Sequence, residues 1–237
     1  MSSTAIDHLT ELIEERRAVR RFTEDVVPQD VLEECLRLAT LAPNACNLQT
    51  WEFHVIRDPD LRKKVSKAAI DQNAARTAPV LVAVAARVDT WRSHARKLLD
   101  EMPEEDRKPI VERFYRRTVP IQYAVGPLGV LGPLKRALVA AVRLVRPVPW
   151  TPRSLGELQM WSVKSASVAA GNLMLALEAH GYDTCPMEGF DEGRVRRLLG
   201  LPWSARIPMI VAAGKQAPRG IYNQRVRFDL ENNVRWR

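Results

Sequence analysis

Cysteine is scarce in this chain. The 237 residues contain three, Cys35, Cys46 and Cys185. Their odd number and irregular spacing exclude a disulfide framework and a zinc site, so they read as reduced thiols and no metal is expected. The four histidines, His8, His54, His94 and His180, show no triad or metal spacing. Long apolar runs are missing too. No stretch approaches the roughly 18–20 uncharged apolar residues that a spanning helix needs. The opening MSSTAIDHLTELIEERR has no apolar core and no cleavage site for secretion. With the free thiols, this gives the expectation of a cytoplasmic protein. Repeats, low-complexity tracts and an interdomain linker are lacking, so a single domain over 1–237 is expected. Acidic residues are in the minority, 28 against 36 Lys+Arg, a net charge of +8. That balance favours anionic partners: nucleic acid, anionic lipid or a phosphorylated small molecule. No nucleic-acid motif is present and the basic residues look dispersed, so nucleic acid is not expected. Arginine outnumbers lysine, and its fork suits bidentate phosphate contacts. The 46% hydrophobic content fills a real core and excludes disorder.

The apolar pattern sets out the elements. Residues 7–18 read as a helix with Asp7 as N-cap. Pro28 opens a second helix to about Leu41, with Val31, Leu32, Cys35, Leu36 and Ala39 at helical spacing. Residues 51–56 alternate, Trp51, Phe53 and Val55 against Glu52 and His54, as in a half-buried strand. A further helix covers 59–70. The short apolar runs 79–86 and 207–213 read as buried strands. Residues 155–181 read as one long central helix, ended by Gly181. Long helices with few, separated strands indicate an α+β fold. The Pro- and Gly-containing stretch 103–154 reads as an insertion or lid. Trp150 and Trp161 suit either substrate stacking or core packing.

Four segments stand out together. They are Arg16-Arg17-Ala18-Val19-Arg20-Arg21-Phe22, Ala42-Pro43-Asn44-Ala45-Cys46-Asn47-Leu48-Gln49-Thr50-Trp51, Cys185-Pro186-Met187-Glu188-Gly189-Phe190-Asp191 and Asn223-Gln224-Arg225-Val226-Arg227. Each alone is an ordinary turn or solvated face. In this order they resemble the FMN-dependent nitroreductase family, over roughly 10–95 and 155–230.

The resemblance implies an α+β, nitroreductase-like fold with a mainly antiparallel central sheet, flanking helices and a long buried helix. It implies a homodimer with flavin sites at the interface. It also implies FMN as cofactor, NADH or NADPH as co-substrate, and a nitroaromatic or quinone as small-molecule acceptor in a ping-pong cycle through flavin N5. The flavin would carry the chemistry. Arg16, Arg225 and Arg227 match the cations at the flavin phosphate, and Arg17 lies beside them. Ala18 stands where many members have serine. Arg20 matches the cation at flavin N1 and O2, where positive charge favours reduction. Asn73 and Arg76 match the pyrimidine edge. Pro186, Met187, Glu188 and Gly189 match the loop whose backbone N–H faces N5 and O4. Pro43, Asn44, Ala45 and Asn47 match the loop that reaches the partner's flavin, with Asn44 where serine is common. Cys46 reads as a packing residue. Relatives also include dehalogenases and oxidases, and a flavin-sequestering protein without turnover shares the same motifs.

Residues 133–146, PLKRALVAAVRLVR, form a candidate helix opened by Pro133 after the apolar run 125–132. Lys135, Arg136, Arg143 and Arg146 share one arc, with Val139 among them. Leu134, Ala137, Leu138, Ala141, Leu144 and Val145 lie opposite. Two readings follow. One is a lid packed on the flavin mouth or dimer with its basic stripe in solvent; the other is a weak peripheral membrane contact.

Overall fold

The run PVLVAVAA, apolar on both faces, becomes the middle of the sheet. The computed structural model describes residues 4–126 and 130–237. Residues 1–3, and residues 127–129 of the apolar run, lie outside the described residues. The strands are β1 (Trp51–Ile56), β2 (Val80–Ala86), β3 (Asp183–Met187) and β4 (Arg206–Gly214). Among the described residues they form one sheet in the order β1-β2-β4-β3, antiparallel throughout. Every residue of β2 is buried. Its alternation divides the core: Val80, Val82, Val84 and Ala86 face one cluster, Leu81 and Ala83 the other.

The helices are α1 (Ala5–Glu15), α2 (Gln29–Thr40), α3 (Pro59–Ala68), α4 (Asn73–Thr77), α5 (Trp91–Glu101), α6 (Pro109–Arg113), α7 (Val119–Tyr123), α8 (Gly132–Arg143), α9 (Leu155–Ala179), α10 (Glu192–Leu198) and α11 (Leu230–Asn233). One face of the sheet packs against α2 and α9. Small residues of α9, Ala166, Ala169, Ala170 and Ala176, let the helix lie close to the strands around Leu173 and Leu177. The other face packs on α3, α4 and α10 through Val65, Ala75 and Val195. Gly181 follows α9 at φ +70, the left-handed conformation expected of a helix-ending glycine. The arrangement is the α+β fold expected from the sequence, and among the described residues no helix is long and apolar enough to cross a membrane.

Several local expectations are corrected. Helix α1 starts earlier, because Thr4 and not Asp7 is its N-cap. The Thr4 Oγ1 accepts from Asp7 N–H at 3.3 Å and Asp7 Oδ2 accepts from Thr4 N–H at 2.8 Å, a reciprocal capping box. It also ends at Glu15 rather than 18, since Val19 and Phe22 are drawn into the core in extended chain. Strand β3 was not foreseen. Its sequence, DTCPM, carries an Asp and a Pro, which a sheet tolerates at an edge. In β1, Trp51 and Phe53 join the α9-side cluster, whereas Val55 is in neither cluster and is partly exposed, and Ile56 reaches the opposite cluster.

The stretch 103–154 is mostly exposed, but it sends Val119, Tyr123 and Val125 into the core, where they pack with Leu48, Trp91 and Trp161. The Tyr123 and Trp161 ring centroids lie 4.3 Å apart, so Trp161 is a packing residue. Trp150 is partly exposed, with the Lys164 ammonium 5.0 Å from its ring. Helix α8 begins at Gly132 and keeps Pro133 in its first turn. Arg136, Arg143 and Arg146 stand in solvent as expected, but the leucines are exposed as well and Lys135 leaves the basic stripe. Lys135 turns inward and donates to the carbonyls of Gln122 and Ala124, beside half-buried Val139 and Val142. Burial lowers the Lys135 pKa accordingly.

Candidate functional site

Three of the four marked segments meet where α1 ends. After Glu15 the chain runs extended along β3. Ala18 bridges Thr184, Val19 N–H donates to Thr184 O at 3.0 Å, and Arg20 N–H donates to Gly220 O at 2.7 Å. Buried Val19 anchors the segment and leaves Ala18 and Arg20 exposed. Gly220 is there because nothing larger fits: an added Cβ would stand 2.8 Å from Arg21 O and 3.0 Å from Ala217 O.

That close approach presents Tyr222, a residue the sequence did not mark. The Tyr222 Oη accepts from Asn73 Nδ2 at 2.6 Å, and the Arg20 guanidinium lies 5.4 Å from its ring centroid. Arg76 Nη2 donates to Asn73 Oδ1 at 2.6 Å. Asn73 is thus held at both ends, yet keeps one amide hydrogen and one lone pair free for a ligand. Arg20, Asn73, Arg76 and Tyr222 form one patch.

The loop after β3 closes a second side. Gln72 Nε2, also unmarked in the sequence, donates to Gly189 O at 2.6 Å, and Asp191 N–H donates to Ala68 O at 2.8 Å. Among the described residues the Gly189 N–H has no acceptor. A Cβ at Gly189 would meet only Gln72 Nε2, at an ordinary 3.5 Å, so the fold itself leaves room there. Glu188 is exposed, Pro186 lies within β3, and the Met187 side chain is core, leaving only its backbone for a ligand.

The third side is cationic. Arg225 donates to the carbonyls of Arg16 (2.5 Å) and Ile13 (3.4 Å) at the C-terminus of α1, where a cation is favoured. Arg17 donates to Asn223 O at 2.5 Å. Arg227 is exposed and donates to the adjacent Val226 carbonyl. Arg16 Nη1 is buried and has no partner. Among the described residues none of Arg16, Arg17, Arg20, Arg225 and Arg227 is ion-paired. Glu178 feels Arg16 and Arg225, but burial and Asp183 outweigh them and raise its pKa, and it makes no ion pair with either. Arg20 and Arg16 also pull on the Cys185 thiol, although burial wins and raises its pKa. A buried guanidinium nitrogen without a partner, among unpaired arginines, is the donor set a phosphate needs. The FMN phosphate fits it, and the Gly189 N–H and the Arg20 patch suit the flavin ring.

The loop 43–47 belongs to a different neighbourhood. Pro43, Ala45 and Asn47 are exposed. Asn44 pins the loop, its Oδ1 accepting from Gln49 N–H at 2.8 Å and its Nδ2 donating to Ala42 O at 3.2 Å. Cys46, Asn47 and Gln49 are all left-handed, at φ 58, 50 and 47. The outward bonds of this stretch run to α5 and the 103–154 region: Tyr115 Oη donates to Cys46 O at 3.1 Å, and His94 Nδ1 lies 2.8 Å from Leu48 O. None joins it to the arginine cluster. In one chain the 43–47 loop and the arginine cluster are therefore separate neighbourhoods.

A model of the nitroreductase family matches residues 13–215. The chain is 31% identical over 222 residues to an NADH dehydrogenase of Thermus thermophilus, covering 94% of this chain and 92% of that one. It is 32% identical over 205 residues to protein DrgA of Synechocystis, covering 86% and 82%. A structure from Exiguobacterium sibiricum, assigned as a nitroreductase and solved in complex with FMN, superposes with a TM-score of 0.73 over 100% of both chains. At 22% identity this likeness is one of fold.

Proposed function

This chain belongs to the nitroreductase family, and on that premise we propose that it is an FMN-dependent oxidoreductase linking NADH or NADPH to a small electron-poor acceptor, a quinone or nitroaromatic. The observation that carries this reading is the partnerless buried Nη1 of Arg16 within an unpaired arginine set. When bound, FMN supplies the two-electron relay between donor and acceptor. Arg16 and Arg17, with Arg225 and Arg227, hold the phosphate. Arg20 would set positive charge beside the flavin ring and so favour its reduction. Asn73 and Arg76, steadied by Tyr222, would hold the pyrimidine edge. The 186–189 loop would offer the Gly189 N–H, free among the described residues, to the ring. The purified protein should be yellow, with one FMN per subunit, and should oxidise NADH or NADPH when menadione is supplied. A colourless protein that takes up no FMN would refute the reading. A yellow one without turnover would leave a flavin-sequestering protein.

The same reading makes the protein a homodimer in which Pro43, Asn44, Ala45 and Asn47 complete the partner's site. Its support is an uncovered apolar surface: Ile6, Leu9 and Ile13 on α1, Met160 and Val168 on α9, and Phe228, Leu230 and Trp236 in the tail are all exposed. Burying apolar area at about 25 cal/mol per Å² gives such a surface strong reason to pair. Analytical ultracentrifugation is expected to show a dimer at micromolar concentration. A flavin-loaded monomer would contradict it.

A further inference from the structure

The positive charge of this protein is not spread over it. Between Arg113 and Gly156 stand eight of the 36 Lys+Arg and none of the 28 Asp+Glu. The remainder of the chain holds 28 of each, so this one segment carries the whole net charge of +8. Within it, α8 turns Lys135, Val139 and Val142 inward and leaves its leucines outside. Leu134 is 70% exposed and Leu138 62%, and just past the helix Leu144 and Val145 are 88% exposed. Leu134, Leu138, Ala141 and Val145 follow one another at helical spacing as one stripe, and exposed Arg136 and Arg143, seven apart, form another on the far side. Beside the helix an apolar groove of about 700 Å³ is lined by Ile121, Leu131, Leu134, Leu138, Val142 and Arg146.

We propose that α8 and this groove dock the protein on an anionic lipid bilayer surface. An aqueous surface gains nothing from a row of bare leucines, and a protein partner's surface carries both signs of charge. A bilayer interface with anionic headgroups offers the two things α8 matches: an apolar layer for the leucines and a continuous negative surface for the exposed Arg136, Arg143 and Arg146, which have no ion-pair partner among the described residues. The docking is peripheral and reversible. It is built from other elements than the arginine cluster and stands independently of the flavin reading.

The test is co-sedimentation of the purified protein with two kinds of vesicle, phosphatidylcholine alone and phosphatidylcholine with phosphatidylglycerol in equal parts, at low and high salt. Binding to the anionic vesicles at low salt, weakened by salt, is expected. Each arginine neutralised should lower partition about five-fold, so Arg136→Gln with Arg143→Gln should lower it about 25-fold. Leu134→Ser with Leu138→Ser should lower it roughly ten-fold or more while leaving the charge intact. Far-UV circular dichroism of both double variants checks that they fold. Three results would overturn the proposal. One is no sedimentation with anionic vesicles at low salt. Another is equal binding to both vesicles. The third is an assembly larger than a dimer, lost in the leucine variant without any vesicle binding, which would assign the face to a second copy. Loss of flavin would defeat the function proposed above and leave the vesicle result standing.

Discussion

Replacing Arg16 with alanine is expected to weaken FMN binding by about 1.5–3 kcal/mol, roughly 10- to 150-fold in Kd. Arg16 caps the end of α1 and its Nη1 is buried without a partner. A donor in that state has already lost water and has no protein acceptor, so an anionic ligand gains a full charge-assisted bond from it. Removing it takes little from the empty fold and much from the loaded one. Arg225→Ala should behave differently. Its guanidinium holds the carbonyls of Arg16 and Ile13, so FMN affinity and melting temperature should fall together. Arg20→Ala should lower the flavin reduction potential and spare much of the binding, because its charge stands by the ring and not the phosphate. Fluorescence titration of the apoprotein measures the first two and potentiometry the third. An Arg16→Ala protein that binds FMN like the parent would remove the phosphate assignment.

Leu173→Ala is expected to cost about 2–5 kcal/mol of stability. Leu173 is fully buried in the C-terminal half of α9, in the cluster where α2 and the sheet meet that helix. Its neighbours on that helix, Ala166, Ala169, Ala170 and Ala176, have no rotamers with which to lean into the space. The cavity therefore stays open, and the loss belongs in the upper half of the range. For a chain of this size each kcal/mol shifts Tm by roughly 2–4 °C. Urea unfolding followed by circular dichroism, at a fixed flavin and protein concentration, checks it. A loss below about 1 kcal/mol would mean that α9 is not the packed centre.

These two residues were legible in the sequence by different signals. Leu173 lies in a helix whose apolar composition all round its circumference announces burial, and β2 and β4 are announced in the same way by unbroken apolar runs. Arg16 was marked by its company: a cation pair followed, at family distances, by the 43–47, 186–189 and 225–227 segments. Gln72 and Tyr222 carried no such mark. A half-buried Gln and a Tyr in a loop acquire meaning only when the turn after α3 meets Gly189 and when Gly220 lets the tail pass close to Arg21. Strand β3 escaped for a related reason. Its pairing with β4 is a long-range contact that overrides what Asp183 and Pro186 prefer locally.

The order of residues is enough to specify the elements that depend on one periodicity: the buried strands, the central helix and its glycine stop, and the amphipathic character of α8. Each follows from a repeat of 2.0 or 3.6 residues that any partner surface would respect. It also determined which cations occur together along the chain. Which way those elements turn was left to long-range packing. Rotation of α8 about its axis set Lys135 on the Gln122 and Ala124 carbonyls and Leu134 in the open. The extended exit from α1 left the Arg16 guanidinium without a partner. Periodicity fixes the angle between side chains on one element; the direction that element faces is settled by packing against residues distant in sequence, where a one-residue change of register or rotation exchanges inside for outside.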